Sequence, residues 1–154
     1  MPIDKYKKTP YFCSVKQDTC MVRIIVFDDV LLYCHGMKIA LEQFPDIHVA
    51  GEAFCEEGIF ELLAHTPVDV IVLGVNMPDR TGCVDVAKRI RCDYPATKII
   101  TVVDEDNAEV KHSITVMGID GYLAKRNAGG HELAVMVRDV TSKQGSVNNI
   151  IPNL

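Results

Sequence analysis

The sequence predicts a doubly wound α/β domain built on a parallel sheet. Three observations carry that reading. The run from Val70 to Gly74 has no polar face, as expected of a strand covered on both sides by helices. Comparable β-branched or apolar runs recur at 22–27, 47–53, 98–103 and 119–123. Between them, apolar residues return every three or four positions, the spacing of amphipathic helices. Strands alternating with helices imply right-handed βαβ units and helices on both sheet faces.

The elements follow in order. Residues 1–21 carry no sustained period, are Lys-rich and hold Pro2 and Pro10, so they are expected to form an extension, with a short edge strand at 11–15 as a minor alternative. The run VRIIVF at 22–27 is the first strand and ends at Asp28 and Asp29. Leu32, Gly36, Ala40 and Phe44, with Tyr33, Met37 and Leu41 beside them, mark the first helix, closed by Pro45 and Asp46. The second strand covers 47–53, and the second helix, marked by Ile59, Phe60 and Leu63, covers about 55–65. The central strand at 70–75 runs into a turn punctuated by Pro78 and Gly82. Val84, Ala87, Ile90 and Arg91 give a third helix that stops near Pro95. The run KIITVV at 98–103 is the fourth strand, followed by the acidic group Asp104, Glu105 and Asp106. Val110, Ile114 and Met117 give a fourth helix ended by Gly118, and the fifth strand at 119–123 leads to Lys125. After a loop at 127–130, Leu133, Met136, Val137 and Val140 mark the last helix. The domain is expected over 22–142, with 143–154 a tail or the start of a linker. At this length the flavodoxin-like strand order 2-1-3-4-5 is the natural arrangement.

The 154 residues suit one domain with a real core, and 48% hydrophobic with 24% charged residues is ordinary for a globular protein. A net charge of −5 gives no basic footprint for nucleic acid. The six cysteines form no CxxC pair and read as reduced, small apolar residues of a cytoplasmic protein. No apolar run reaches the length of a membrane span. The five histidines are scattered and read as surface or helix residues.

In open parallel sheets the loops at the carboxyl ends of the strands form the functional crevice. Asp28 and Asp29, Gly74, Asp104 with Glu105, and Lys125 all fall at such ends and are expected to share one rim. Two adjacent carboxylates on a loop tip suit a hard cation such as Mg²⁺, and a lysine across the rim suits an anionic group held near it. Taken alone, an Asp-Asp pair after a strand is a solvated turn or a helix cap; the combination at matching strand ends is what points to a site.

Four motifs make the reading specific: FDD at 27–29, FPDIHVAGEA at 44–53, NMPDRTG at 76–82 and GIDGYLAK at 118–125. With these the chain resembles the receiver domain of two-component response regulators, closest to the branch that carries a LuxR-type DNA-binding helix-turn-helix. The resemblance implies that Asp28 and Asp29 hold Mg²⁺, that the backbone carbonyl of Asn76 completes the metal site, that Lys125 pairs with a phosphoryl group and that Tyr122 is the rotating aromatic switch. Two positions depart from the pattern. Gly74 stands where the family has its phosphoacceptor aspartate, and Val103 where a Thr or Ser hydrogen-bonds the phosphoryl group. Acyl-phosphate formation needs a carboxylate oxygen to attack phosphorus in line, and glycine has none. Loss of a charged ligand also weakens the expected Mg²⁺ site, and without metal Lys125 could pair with Asp28, Asp29 or Asp104. Rescue of the nucleophile by Asp79 or Asp104 is a minor alternative.

The leading expectation is therefore a degenerate, phosphorylation-independent receiver with no cofactor. It would be a non-enzymatic module that meets protein partners, a histidine kinase among them, and pairs as a homodimer through the first and last helices or through the fourth helix, fifth strand and fifth helix. The alternative is the receiver half of a LuxR-type transcription regulator whose DNA-binding domain lies outside this chain; no helix-turn-helix fits the tail, so this chain alone is expected not to bind DNA. A flavin carrier is disfavoured because Phe27 to Leu31 has no Ser/Thr/Gly run to cradle a phosphate.

Overall fold

The computed structural model describes residues 21–75, 81–104 and 108–142, with the backbone alone at 75, 81–83 and 117. Residues 1–20 of the expected extension, the tail, and Asn76, Asp79, Glu105 and Asp106 lie outside the described residues. Five strands, β1 (Val22–Phe27), β2 (Ile47–Ala53), β3 (Val70–Val75), β4 (Lys98–Val103) and β5 (Gly121–Ala124), form one sheet in the order β2-β1-β3-β4-β5. Every neighbouring pair is parallel. The helices between and after them are α1 (Leu31–Leu41), α2 (Glu56–His65), α3 (Thr81–Asp93), α4 (Ala108–Met117) and α5 (Gly130–Ser142). The expected strand order and class are those observed.

The core obeys the two-residue period of the strands. Ile24 and Val26 of β1, Val70 and Val72 of β3, and Ile100 and Val102 of β4 face one side, where Cys34, Met37 and Leu41 of α1 meet Leu133, Val137 and Val140 of α5. Ile25, Ile71, Leu73, Ile99 and Val103 face the other side, against Ile59 of α2, Ile90 of α3 and Ile114 of α4. Val70 to Leu73 are at most 1% exposed, as their unbroken apolar character requires.

Two elements, the first helix and the fifth strand, are bounded differently from the expectation. Helix α1 stops at Leu41, and Phe44 belongs to the turn after it, where its N–H donates to the Leu41 carbonyl. The fifth strand begins at Gly121 rather than at 119. Ile119 is buried, but the Asp120 carboxylate accepts the Ile99 N–H at 2.8 Å. The Asp120 N–H donates in turn to the Ile99 carbonyl at 2.8 Å, so one of the two bonds between these residues runs through a side chain and the regular ladder starts one residue later. The same carboxylate accepts a bond from Arg91 of α3 at 2.8 Å, and Arg91 also donates to the carbonyls of Thr97 and Gly118. Gly118 itself ends α4 at a φ of 68°, a left-handed position suited to glycine.

Candidate functional site

Alternation along the strands decides what faces the carboxyl rim. Asp28 continues the Ile24 and Val26 face of β1, and Gly74 continues the Val70 and Val72 face of β3. The register that pairs Phe27 with Leu73 then sets Asp28 beside Gly74. Asp29, one residue on, is exposed, whereas Asp28 is fully buried. The two acids at the end of β1 therefore diverge.

The Asp28 carboxylate lies where a side chain at position 74 would be. A β-carbon built on Gly74 would sit 2.7 Å from Asp28 Cγ and 3.1 Å from its Cβ, with Oδ2 closer still. The other oxygen, Oδ1, accepts the Val30 N–H at 2.8 Å, a local turn that leads into α1. Lys125, in the 3₁₀ turn Lys125–Asn127 that follows β5, brings its ammonium to 3.8 Å from Asp28 Oδ2 and 3.1 Å from Asp104 Oδ1. A buried carboxylate needs such a counter-charge, because desolvation would otherwise disfavour its ionised form. The ring of Tyr33 on α1 covers the ammonium, with its centroid 4.4 Å from Nζ. Burial pushes the Tyr33 hydroxyl up from its ordinary pKa, with the negative charges of Asp28 and then Asp104 adding to it.

Of the residues singled out in the sequence, Asp28, Gly74, Asp104 and Lys125 meet at one point. Val103 and Tyr122 lie apart from that group on the opposite sheet face, 2% and 3% exposed, in the apolar cluster that includes Val110 and Ile114. Tyr122 is turned into the core. Asn76 and Glu105 lie outside the described residues. The five histidines are all exposed. Tyr33 is the contributor that sequence reasoning placed only on a helical stripe; its position in the first turn after the Asp pair was the available signal.

The implied Mg²⁺ does not fit this arrangement. Octahedral Mg²⁺ asks for oxygens converging at about 2.1 Å and room for several waters. Here one acid of the pair is sealed against Gly74 with an ammonium beside it, and the other is exposed. Among the described residues, no group of three or more His, Cys, Asp or Glu side chains is placed to hold a metal ion.

On the same side of the sheet, an apolar groove of about 470 Å³ runs between α1 and the start of α5, lined by Leu32, Tyr33, Gly36, Ala40, Ala128 and Leu133 among others. At the opposite end of the sheet, Arg138 of α5 donates two bonds to Asp46, at 2.8 and 2.9 Å, and the guanidinium holds that carboxyl below its usual range. No helix among the described residues is long and apolar enough to cross a membrane.

Comparison with known proteins points to one family. The family described as the response regulator receiver domain matches residues 24–138. The chain is 28% identical over 124 residues to the response regulator UvrY of Escherichia coli, covering 80% of this chain and 56% of that protein. It is 33% identical over 104 residues to the transcriptional regulatory protein YxjL of Bacillus subtilis, covering 68% and 47%. The chain spans about half the length of the curated relatives it matches. Among solved structures, the receiver domain of the putative response regulator NarL from Mycobacterium tuberculosis superposes with a TM-score of 0.69 at 28% identity, covering 80% of this chain and 98% of that one. The isolated REC domain of RcsB from Salmonella enterica shares the fold, with a TM-score of 0.69 at 20% identity over 80% and 91% of the two chains. A match over three-quarters of the sequence, the 2-1-3-4-5 sheet and the acidic rim lead to one conclusion: this chain belongs to the response regulator receiver domain family.

Proposed function

We propose that this chain is a phosphorylation-independent receiver, a signalling module that works through protein contacts and is not an enzyme. The observation that carries this reading is at the end of β3. Gly74 stands at the family's phosphoacceptor position, and the Asp28 carboxylate takes up the space of the side chain it lacks. Val103 supports the reading from the other side, since an apolar, buried residue offers no hydroxyl to a phosphoryl group. The test is incubation with acetyl phosphate and Mg²⁺ followed by intact mass. The expected spectrum is unchanged. A single added phosphoryl group that disappears in Asp79→Ala overturns the reading.

The contact face this reading favours is that of α1 and α5, with a second copy of the chain as occupant. Leu32 is 83% exposed at the edge of the apolar groove, and an added side chain at Gly36, one helical turn along, would meet nothing within 4 Å. A protruding residue and an open hollow on one surface are self-complementary about a two-fold axis. Light scattering across a concentration series is expected to show a dimer that Leu32→Glu abolishes; a concentration-independent monomer rules this face out. A histidine kinase is a partner that the reading accommodates, docking without phosphotransfer.

A second reading, that the chain is the receiver portion of a transcription regulator, is favoured by the length of the matched relatives, several of them named as transcriptional regulatory proteins. Whether the coding sequence continues beyond Leu154 into a helix-turn-helix decides it.

A further inference from the structure

We propose that Lys125 has replaced the divalent cation as the permanent counter-ion of this pocket, and that Gly74 is the residue that makes the replacement possible. The inference deepens the phosphorylation-independent reading and rests on it. It assigns Gly74 a positive role: holding open the space into which Asp28 turns.

The geometry gives three reasons. First, both Asp28 oxygens are committed inward. Oδ1 accepts the Val30 N–H, Oδ2 lies over Gly74 and toward Lys125, and the residue is fully buried, so it presents no face to a hydrated cation. Second, the ammonium of Lys125 stands between two carboxylates, 3.1 Å from Asp104 and 3.8 Å from Asp28, with the Tyr33 ring closing one side. A lysine is a compact point charge that can serve two acids at once, as a metal ion would, without demanding octahedral geometry. Third, the space is exclusive. A β-carbon at position 74 would lie 2.7 Å from Asp28 Cγ and 3.1 Å from Asp28 Cβ, closer than carbon atoms pack. Moving only the carboxylate oxygens would not relieve this. Asp28 would have to leave its buried position, and Lys125 would lose a partner.

Two ideas are thereby separated. If Gly74 is merely a lost nucleophile, adding a methyl group there should be neutral or mildly stabilising, because alanine reduces the freedom of the unfolded chain and Gly74 has no positive φ. If Gly74 is the seat of Asp28, the same methyl group expels a buried, paired carboxylate. Thermal unfolding of the full chain distinguishes them. The expected result is that Gly74→Ala lowers the midpoint by several degrees, and that adding Asp28→Ala to Gly74→Ala recovers part of the loss. Lys125→Met is expected to cost less in the Gly74→Ala background than in the native sequence, because the pair with Asp28 is already broken and only that with Asp104 is left to lose. If Gly74→Ala is too unstable to purify, recovery of a folded protein on adding Asp28→Ala supports the proposal equally, and failure to recover one overturns it.

The cation is tested with Mg²⁺ alone. Calorimetric titration of the native chain at millimolar Mg²⁺ is expected to show no saturable binding and no shift in the unfolding midpoint. A neutral Gly74→Ala, or saturable Mg²⁺ binding that Asp28→Ala abolishes, overturns the proposal while leaving inertness to acetyl phosphate intact. Phosphoryl uptake by the native chain would overturn the functional reading instead.

Discussion

At the scale of single residues, burial assigns two acids of one dipeptide to different tasks. Asp28, the first residue past β1, still follows the buried Ile24 and Val26 face and is sealed in the pocket, whereas Asp29 already lies in the bend beyond the sheet and faces solvent. The first turns of α1 also bury Cys34, whose thiol lies 3.6 Å from the Val26 carbonyl and 3.7 Å from that of Ala53. Burial, and then the charge of Glu52, push this thiol from 9.0 up to about 11. Two pKa units make its thiolate roughly a hundred times scarcer at neutral pH than that of an ordinary cysteine. Alkylation of the native protein, read by peptide mass, should therefore modify the exposed Cys55 and Cys92 long before Cys34. Equal labelling of Cys34 would mean that α1 opens readily. The histidines, all exposed, fit their reading from sequence as surface or helix residues.

At the scale of elements, the strands were legible almost to the residue. β1, β2, β3 and β4 begin and end where the apolar runs do, and in the central ones burial on both faces admits few polar residues. The fifth strand starts later than its apolar run for a physical reason: Ile119 is apolar and buried, but Asp120 uses its side chain to meet β4. That bond locates a prediction. Asp120→Ala strands the Ile99 N–H and removes a partner from Arg91, so urea unfolding should report a loss of about 2 kcal/mol. An effect below a few tenths would mean that water replaces the carboxylate. Leu32→Glu, by contrast, should leave the stability of the monomer unchanged, since the side chain is 83% exposed, and should register only in the oligomeric state.

At the scale of the whole molecule, the buried groups set how stability varies with pH. The Cys34 thiol and the Tyr33 hydroxyl are both harder to deprotonate in the folded chain than in the unfolded one. Between pH 9 and 11 the unfolded chain therefore holds fewer protons, and stability falls as pH rises. Denaturant midpoints at about pH 8, 9 and 10 should decline in that order, less steeply in Cys34→Ala. At the acid end, the Asp46 carboxyl is held low by the Arg138 hydrogen bonds, so its contribution is present near neutrality and is lost as pH falls through its folded value. Because that pair is partly exposed, Asp46→Asn should cost only about 0.5 kcal/mol near neutral pH and less in strong acid. A flat alkaline profile would contradict the burial of Cys34.

The amino-acid sequence alone determined the layered architecture, the strand order and the identity of the residues at the rim, because hydrophobic period and strand-end position are local properties of a chain. It also carries the expectation, through the resemblance alone, that Gly74 and Val103 depart from the receiver pattern. Only the tertiary structure decided how the rim residues share the space beside Gly74. That Asp28 turns inward while Asp29 does not, that Lys125 reaches Asp104 and Asp28, and that Tyr33 covers the ammonium depend on four strand ends and a helix meeting within a few ångströms. No spacing along the chain encodes a competition for one volume, which is settled only when β1, β3, β4 and β5 are brought to the same rim.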